Sequence, residues 1–595
     1  MAAVPRSGTP EKSAAPSRPA HERPPAARDV VRRRVLASVA VAAAVVLLFV
    51  AYLRISRTYT ENSDSANILL MSWDMLHGNL LLHGWYLSDV SFYPTELPQY
   101  AALEALLGLH ADTAHVAAAM TYTLVLLFAV LLARGRTSGR PVMSSAWPPM
   151  ALTAGLMIAP QLGVGVFVLL LSVGHIGTAI PLMLTWLVID KATARPCLPG
   201  GSTALSSSGG APSPRTPLAD PPARTWFIPV IVGLLLTWVL VADPLVLVVG
   251  IVPLAAVCAV RVIRAVLAAA PRDRGAALQA RWYEVSLAAA AILAYGLADL
   301  MNRLLSASGG FVLHPLAYQL APLHTWAKHA WVTGEGLLAL FGAKPQGPAV
   351  ELTFALLHLV GVALVAWAIC RVVRRFVSWP DLVSPVLVLA IVLNVLVYIP
   401  STLADATDLN AREFAVVLPF GAVLAGRVLA EPLTTRLRGG EVDVLGWLHG
   451  RRWRAGLASA LAVGYLASLG YGAAQPSVPP AKAQLATFLT EHHLTSGISG
   501  YWLSSIVTVG SDGAVTIRAV QSSLRPYLWE TKGSWYDPAT QRATFLVTEN
   551  GTDYFSHWKP SASALAALGP PVRTYHVGPY TVLVWNTNLL SPRAP

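Results

Sequence analysis

The chain is poor in cysteine and poor in charge. Its three cysteines, Cys197, Cys258 and Cys370, all fall in segments that the topology below places in the membrane or on its cytoplasmic side. A disulfide framework on the outer face is thereby excluded. Charged residues make up 12% of the 595, about half of what a soluble domain carries, which excludes a soluble globular protein as the main class. No repeat of solenoid period is present. The sequence pI of ≈ 9.7 does not signal nucleic acid, because the basic residues are spread over many segments without aromatic interleaving or a nucleic-acid motif. Charge inside the apolar runs is scarce, which counts against a transporter or flippase, where charges sit near the bilayer midplane on broken helices.

Apolar residues are abundant, at 54% with a mean hydropathy of +0.54. The runs at 35–54, 113–133, 146–160, 163–189, 226–241, 245–260, 282–304, 351–370, 382–400, 413–430 and 455–473 predict about eleven transmembrane helices. The run at 163–189 is long enough to be tilted or broken near Gly174 or Gly177. With the N-terminus placed inside, the cytoplasmic pieces hold 29 of the 43 lysines and arginines but 10 of the 31 acids. Each of these pieces is basic, as the positive-inside rule requires. Residues 1–34, rich in Pro, Ala, Ser and Arg, read as a disordered cytoplasmic tail, and Val35–Leu53 as a retained signal anchor. The cytoplasmic loop 197–223 reads as disordered. A transmembrane domain fills 35–474, and 475–595 lie outside.

Acidic groups concentrate on the outer side. The first outer loop, 56–112, holds Glu61, Asp64, Asp74, Asp89, Glu96, Glu104 and Asp112 against a single basic residue, Arg57. It predicts two short helices along the membrane surface, Ala66–His77 and Leu97–Leu107, with Trp85, Tyr86, Phe92 and Tyr93 as interfacial residues between them. Asp243-Pro244 forms a tight outer turn. Asp299 lies near the outer end of its span. Loop 305–350 carries His314, His324 and His329, whose spacing matches no metal motif. Asp405, Asp408 and Arg412 precede a late span. A carboxylate facing a lone arginine at this level suits transfer from a lipid phosphate: the acid takes a proton, and the guanidinium holds the leaving phosphate. Each residue also has a plainer role. Asp64 or Ser63 can N-cap a helix, Arg412 can snorkel, Asp243 can serve its turn, Asp89 and Glu96 can solvate the loop, and His175 can be a packed mid-span histidine.

Residues 475–595 change character. A helix over Ala481–His492 and strands over Tyr501–Val509, Ala514–Val520, Ala543–Thr548 and Tyr580–Trp585 predict a small α+β domain. Its many aromatics suit glycan stacking or a small core. It is read as handling an acceptor or as a structural cap, without a catalytic residue.

The order of features resembles the GT-C superfamily of integral membrane glycosyltransferases, among them protein O-mannosyltransferases and bacterial polyprenyl-phosphate-sugar-dependent transferases. The features are Asp64 just after the first span, the phrase Trp73-Asp74-Met75-Leu76-His77-Gly78 in a large first outer loop, and Ala411-Arg412-Glu413-Phe414 through Pro419 opening a late helix. The resemblance implies a catalytic role for Asp64 and donor-phosphate binding by Arg412; Asp89, Glu96 and Asp243 are further candidates from their place on the outer face alone. It also implies a polyprenyl-phosphate sugar as donor and an envelope glycan, lipid or protein as acceptor, at the plasma membrane. No metal ligand is assigned, and a divalent metal is left open. One departure is that Asp64 is flanked by Ser63 and Ser65 where many members carry an adjacent acidic pair. A non-catalytic scaffold or sensor of the same architecture, or a transporter, is the alternative.

Overall fold

The computed structural model describes residues 27–135, 147–171, 174–192, 226–315, 318–404, 408–436, 444–551 and 558–591. The expected tail up to residue 26, the loop 197–223 and Asp405 lie outside the described residues. The chain divides into two compact units, Met1–Leu48 and Phe49–Pro595.

The chain is an α-helical membrane protein. In order its helices are α1 (Ala27–Ser56), α2 (Ser63–Leu76), α3 (Glu96–Leu107), α4 (Asp112–Ala133), α5 (Trp147–Met157), α6 (Val164–Leu170), α7 (Ala179–Ala192), α8 (Ile228–Ala242), α9 (Val252–Ala268), α10 (Arg274–Gln279), α11 (Trp282–Ala307), α12 (Trp326–Leu340), α13 (Ala349–Val373), α14 (Val383–Tyr398), α15 (Val417–Arg436), α16 (Val444–Ala473), α17 (Ala483–Glu491), α18 (Tyr501–Gly510) and α19 (Ala562–Ala566). Each apolar run forms helix. Among the described residues, five helices are long and apolar enough to cross a membrane: Val35–Ser56, Asp112–Ala133, Leu247–Ala268, Trp282–Ala307 and Ala349–Val373. The run at 163–189 is indeed broken, into α6 and α7. Ile292 and Leu293 on α11 and Leu356 on α13 are exposed, a surface that lipid covers.

The loop 56–112 forms both expected helices, α2 and α3. Asn62 caps α2: its Oδ1 accepts from the Ser65 amide at 3.0 Å, and the Asn62 amide donates to Ser65 Oγ at 3.1 Å. This reciprocal pair satisfies the free amides of the first turn, so neither Asp64 nor Ser63 is the cap. Helix α12 lies in the loop 305–350, where the sequence reading placed no helix.

Residues 475–591 form no free-standing cap. Strands β3 (Ser496–Ser499), β4 (Thr516–Ala519), β6 (Phe545–Glu549), β7 (Arg573–Val577) and β8 (Tyr580–Val584) make a five-stranded sheet in the order β4-β3-β6-β8-β7. One hydrophobic core joins Leu485, Leu503, Val507, Phe545 and Val582 of this region to Ile68, Leu69, Trp85 and Leu97 of the first outer loop. A second, three-stranded sheet threads the same junction: β1 (Trp85–Leu87) pairs parallel with β2 (Val312–Leu313) and antiparallel with β5 (Thr531–Lys532). Tyr501–Val509, expected as a strand, lies in helix α18. The reason is topological. β3 and β4 are adjacent and parallel, and parallel neighbours need a crossover between them. The apolar, β-branched run is buried on nearly every side, a condition under which run length and composition cannot separate strand from helix.

Candidate functional site

The capping of α2 by Asn62 leaves the Asp64 carboxylate available, and both of its oxygens are engaged. Arg412 Nη1 donates to Oδ2 at 2.7 Å, and Tyr501 Oη lies 2.8 Å from Oδ1. The first turn of a helix also favours an acid through the backbone dipole. Arg412 comes from a 3₁₀ segment, Asp408–Phe414, that leads into α15. Its Nε lies 3.5 Å from Glu413 Oε1.

The chain of contacts continues in both directions. Glu413 Oε2 lies 3.0 Å from His175 Nε2, and His175 Nδ1 lies 2.7 Å from Asp243 Oδ2. Asp243 is held in turn by the Thr178 hydroxyl at 2.5 Å and by the Leu245 amide at 2.9 Å. On the other side, Tyr501 Oη lies 2.6 Å from Glu530 Oε2. The result is a string of alternating acid and base, Asp243–His175–Glu413–Arg412–Asp64, closed by Tyr501 and Glu530. Alternation lets buried charges compensate one another, which a cluster of one sign cannot do. The imidazole faces a carboxylate from each ring nitrogen, an arrangement that the imidazolium satisfies on both sides.

Four members of this string, Asp64, Arg412, Glu413 and His175, line a cavity of ≈ 240 Å³ together with Glu530, Asp89, Val90, Phe92, Pro244, Leu245, Val248, Tyr318, Val397, Tyr398, Leu403 and Trp529. The lining thus combines charged side chains with apolar and aromatic ones. Asn394 stands in the wall as well, and its buried Oδ1 has no partner among the described residues. Burial pushes the Asp89 carboxyl above its ordinary range, and the nearby Glu413 carboxylate adds to this. Burial likewise raises Glu96 to about 7 against the lowering hydrogen bond from Thr95, with Asp243 contributing further in the upward direction. Burial pushes Glu413 up, but the His175 and Arg412 contacts outweigh it and hold the group below the usual range.

The structure therefore brings together Asp64, Arg412, Asp89 and Asp243, the last as the anchor of His175 instead of a turn residue alone. Glu96 stands apart. It is buried behind the site against Gly177 and does not line the cavity. Asp299 pairs with Arg303 on an exposed face. His314 stacks on Trp529 with ring centroids 5.0 Å apart. Among the described residues, no group of three or more His, Cys, Asp or Glu side chains is placed to hold a metal ion.

Four participants escaped the sequence reading. His175 had a signal, since an ionisable residue inside a span is functional by default, and so did Glu413, an acid beside the chosen arginine. Tyr501 and Glu530 had none. They sit in a region read as free of catalytic residues, and only the shared core carries them to α2.

No protein-family model matches the chain, and no curated protein matches it. Among solved structures it is similar to ArnT from Cupriavidus metallidurans bound to undecaprenyl phosphate, at 14% identity and a TM-score of 0.49, over 93% of this chain and 99% of that one. It is also similar to an oligosaccharyltransferase from Archaeoglobus fulgidus in the apo form, at 13% identity and a TM-score of 0.41, over 85% of this chain and 69% of that one. At these values neither likeness assigns a residue or a reaction to this chain.

Proposed function

We propose that the chain is a membrane glycosyltransferase that moves a sugar from a polyprenyl-phosphate donor to an envelope acceptor on the outer face. The observation that carries this reading is the Asp64–Arg412 pair, 2.7 Å apart, in the wall of a cavity whose lining also includes apolar and aromatic side chains. In the proposed reaction the acceptor hydroxyl oxygen forms a bond to the anomeric carbon as the bond from that carbon to the phosphate oxygen breaks. The hydroxyl proton passes to the Asp64 carboxylate. The electron pair leaves with the phosphate, whose added charge the Arg412 guanidinium stabilises. The apolar lining residues, among them Val397 and Tyr398 of α14, suit the first isoprene units, and Trp529 offers a face on which a sugar ring can stack. Asp89 is a second carboxyl within the same cavity, and Asp243 acts through His175 to fix Glu413 beside Arg412. The outer placement rests on the charge count, which puts these loops away from the basic side.

The test is mass spectrometry of envelope lipids, glycans and secreted proteins from a deletion strain, restored either with the natural chain or with Asp64→Asn. A sugar that disappears on deletion and returns only with the natural chain supports the reading. An unchanged set of glycoconjugates sinks it.

A further inference from the structure

The hydrogen atoms around Tyr501 do not add up unless a carboxyl is protonated. Its hydroxyl oxygen lies 2.8 Å from Asp64 Oδ1, 2.6 Å from Glu530 Oε2 and 3.1 Å from Asn67 Nδ2. Asn67 Nδ2 also reaches Glu530 Oε2 at 3.0 Å. The amide donates to the hydroxyl, and the hydroxyl has one hydrogen to donate. Two carboxylate oxygens compete for it. If both acids were ionised, two oxygen atoms would face each other at hydrogen-bond distance in a buried site with nothing between them. Turning the Asn67 amide over replaces a donor with a third acceptor and deepens the deficit. One further proton is therefore required.

The surroundings decide where it resides. Asp64 has a guanidinium on its other oxygen, which favours the carboxylate. No cation is paired with Glu530: its hydrogen-bond neighbours are the Tyr501 hydroxyl, the Asn67 amide and the Ser88 side chain, and it is buried to 6% exposure. Its backbone is also held in the left-handed region, at φ 47°, a strained setting for a side chain that is kept where a site requires it. Burial pushes the Glu530 carboxyl well above the usual carboxylate range, and the nearby Asp64 pushes it further.

We infer that Glu530 is the protonated partner and that Glu530 and Tyr501 form a positioning pair that the C-terminal region contributes to the site, Glu530 donating to Tyr501 and Tyr501 to Asp64. This inference rests on the proposed transfer reaction for its consequence, though not for the protonation itself. The pair aims one Asp64 oxygen while Arg412 holds the other. Loss of the Glu530 proton breaks the chain and places a second negative charge beside the base. The titratable and charged groups facing this point are Asp64 on α2, Tyr501 on α18 and, around the same cavity, Asp89, Arg412, Glu413 and His175.

The deciding experiment is infrared spectroscopy of the full chain in lipid nanodiscs at neutral pH. The carbonyl stretch of a protonated carboxyl should be present in the natural chain and diminished in Glu530→Gln. In Asp64→Asn its titration midpoint should move to lower pH, because a negative neighbour is gone. A Glu530→Gln spectrum that loses no protonated-carboxyl signal overturns the inference. Should that variant fail to fold, Tyr501→Phe removes the bridge and must shift the same band, and an unmoved band overturns the inference as well. The second arm measures transfer against pH, with the donor found in the strain comparison. Glutamine donates the same hydrogen bond at every pH, so Glu530→Gln should keep the neutral-pH rate within about threefold and lose the alkaline decline, whereas Tyr501→Phe should fall ~10- to 100-fold. A Glu530→Gln enzyme as slow as Tyr501→Phe contradicts the protonated state. A protein that shows the infrared band and transfers nothing refutes the enzyme reading alone.

Discussion

Asp64 and Arg412 stand 348 positions apart in the chain and 2.7 Å apart in space. Asp64 is 13% exposed and Arg412 29% exposed at the side chain, so the pair is shielded yet open to a cavity. Under the proposed reaction, Asp64→Asn should lower transfer by ~10²- to 10⁴-fold, the usual worth of a positioned base. Arg412→Lys should not restore what Arg412→Gln loses, because an ammonium cannot reproduce the planar fork that spans a carboxylate and a phosphate. Rates of membranes carrying each variant, normalised to inserted protein, decide both points. Full activity in Asp64→Asn would leave Asp64 a merely structural acid.

Glu104 on α3 is buried to 2% exposure. Its Oε2 and the Ile68 carbonyl both lie 2.8 Å from Ser72 Oγ, and Ser72 has a single hydrogen to give. Burial raises Glu104 to about 8 against the lowering effect of Ser72. An acid raised in the folded state resists ionisation there while the unfolded chain ionises freely. Its burial is harmless below the unfolded value and becomes destabilising as pH rises from about 4.5 to about 8. Glu104→Gln should therefore gain stability that is absent at acid pH and reaches about 4 kcal/mol at pH 8. Thermal unfolding in detergent across that window reads it, and an equal gain at every pH would contradict the assignment.

At the other end of the bundle, Arg427 on α15 binds Asp190 on α7 at 2.7 Å, lies 3.4 Å from Asp381 and donates to the Leu132 carbonyl at 2.9 Å. Arg427 and Asp190 are 7% and 4% exposed at the side chain. Removing one partner leaves a buried charge uncompensated, so Arg427→Leu should cost about 3–5 kcal/mol of stability. Because this knot is remote from the cavity, the inserted fraction of that variant should keep its transfer rate. Unfolding midpoints and specific activity measured on the same preparation separate the two effects.

Gly177 admits Glu96. A Cβ added at residue 177 would collide with the Glu96 carboxyl, and Glu96 is buried. Gly177→Ala should cost ~1–3 kcal/mol by overpacking, and Glu96→Ala should recover most of it, giving a strongly non-additive double-mutant cycle. Additive losses would mean that the two residues do not share the space.

The architecture of the transmembrane part was written in the chain because hydrophobicity and charge bias act locally. A run of apolar residues must become helix in lipid, whatever its neighbours do, and the two surface helices announce themselves by capping and stop residues. Asp64, Arg412, Asp89 and Asp243 could be nominated for the same reason: an acid or a base at a membrane boundary is costly and stands out in sequence. What the sequence could not supply was pairing. Whether Asp64 caps a helix or faces an arginine depends on Asn62 taking the cap and on the 3₁₀ segment Asp408–Phe414 returning to α2. Whether 501–510 is strand or helix depends on β3 and β4 lying side by side. Tyr501 and Glu530 enter the site only because residues 475–591 share a core with the first outer loop, a contact made by ordinary apolar side chains that carry no mark of their destination. Local chemistry thus determined the helices and the nominees. Only long-range packing decided which of them touch and which are charged.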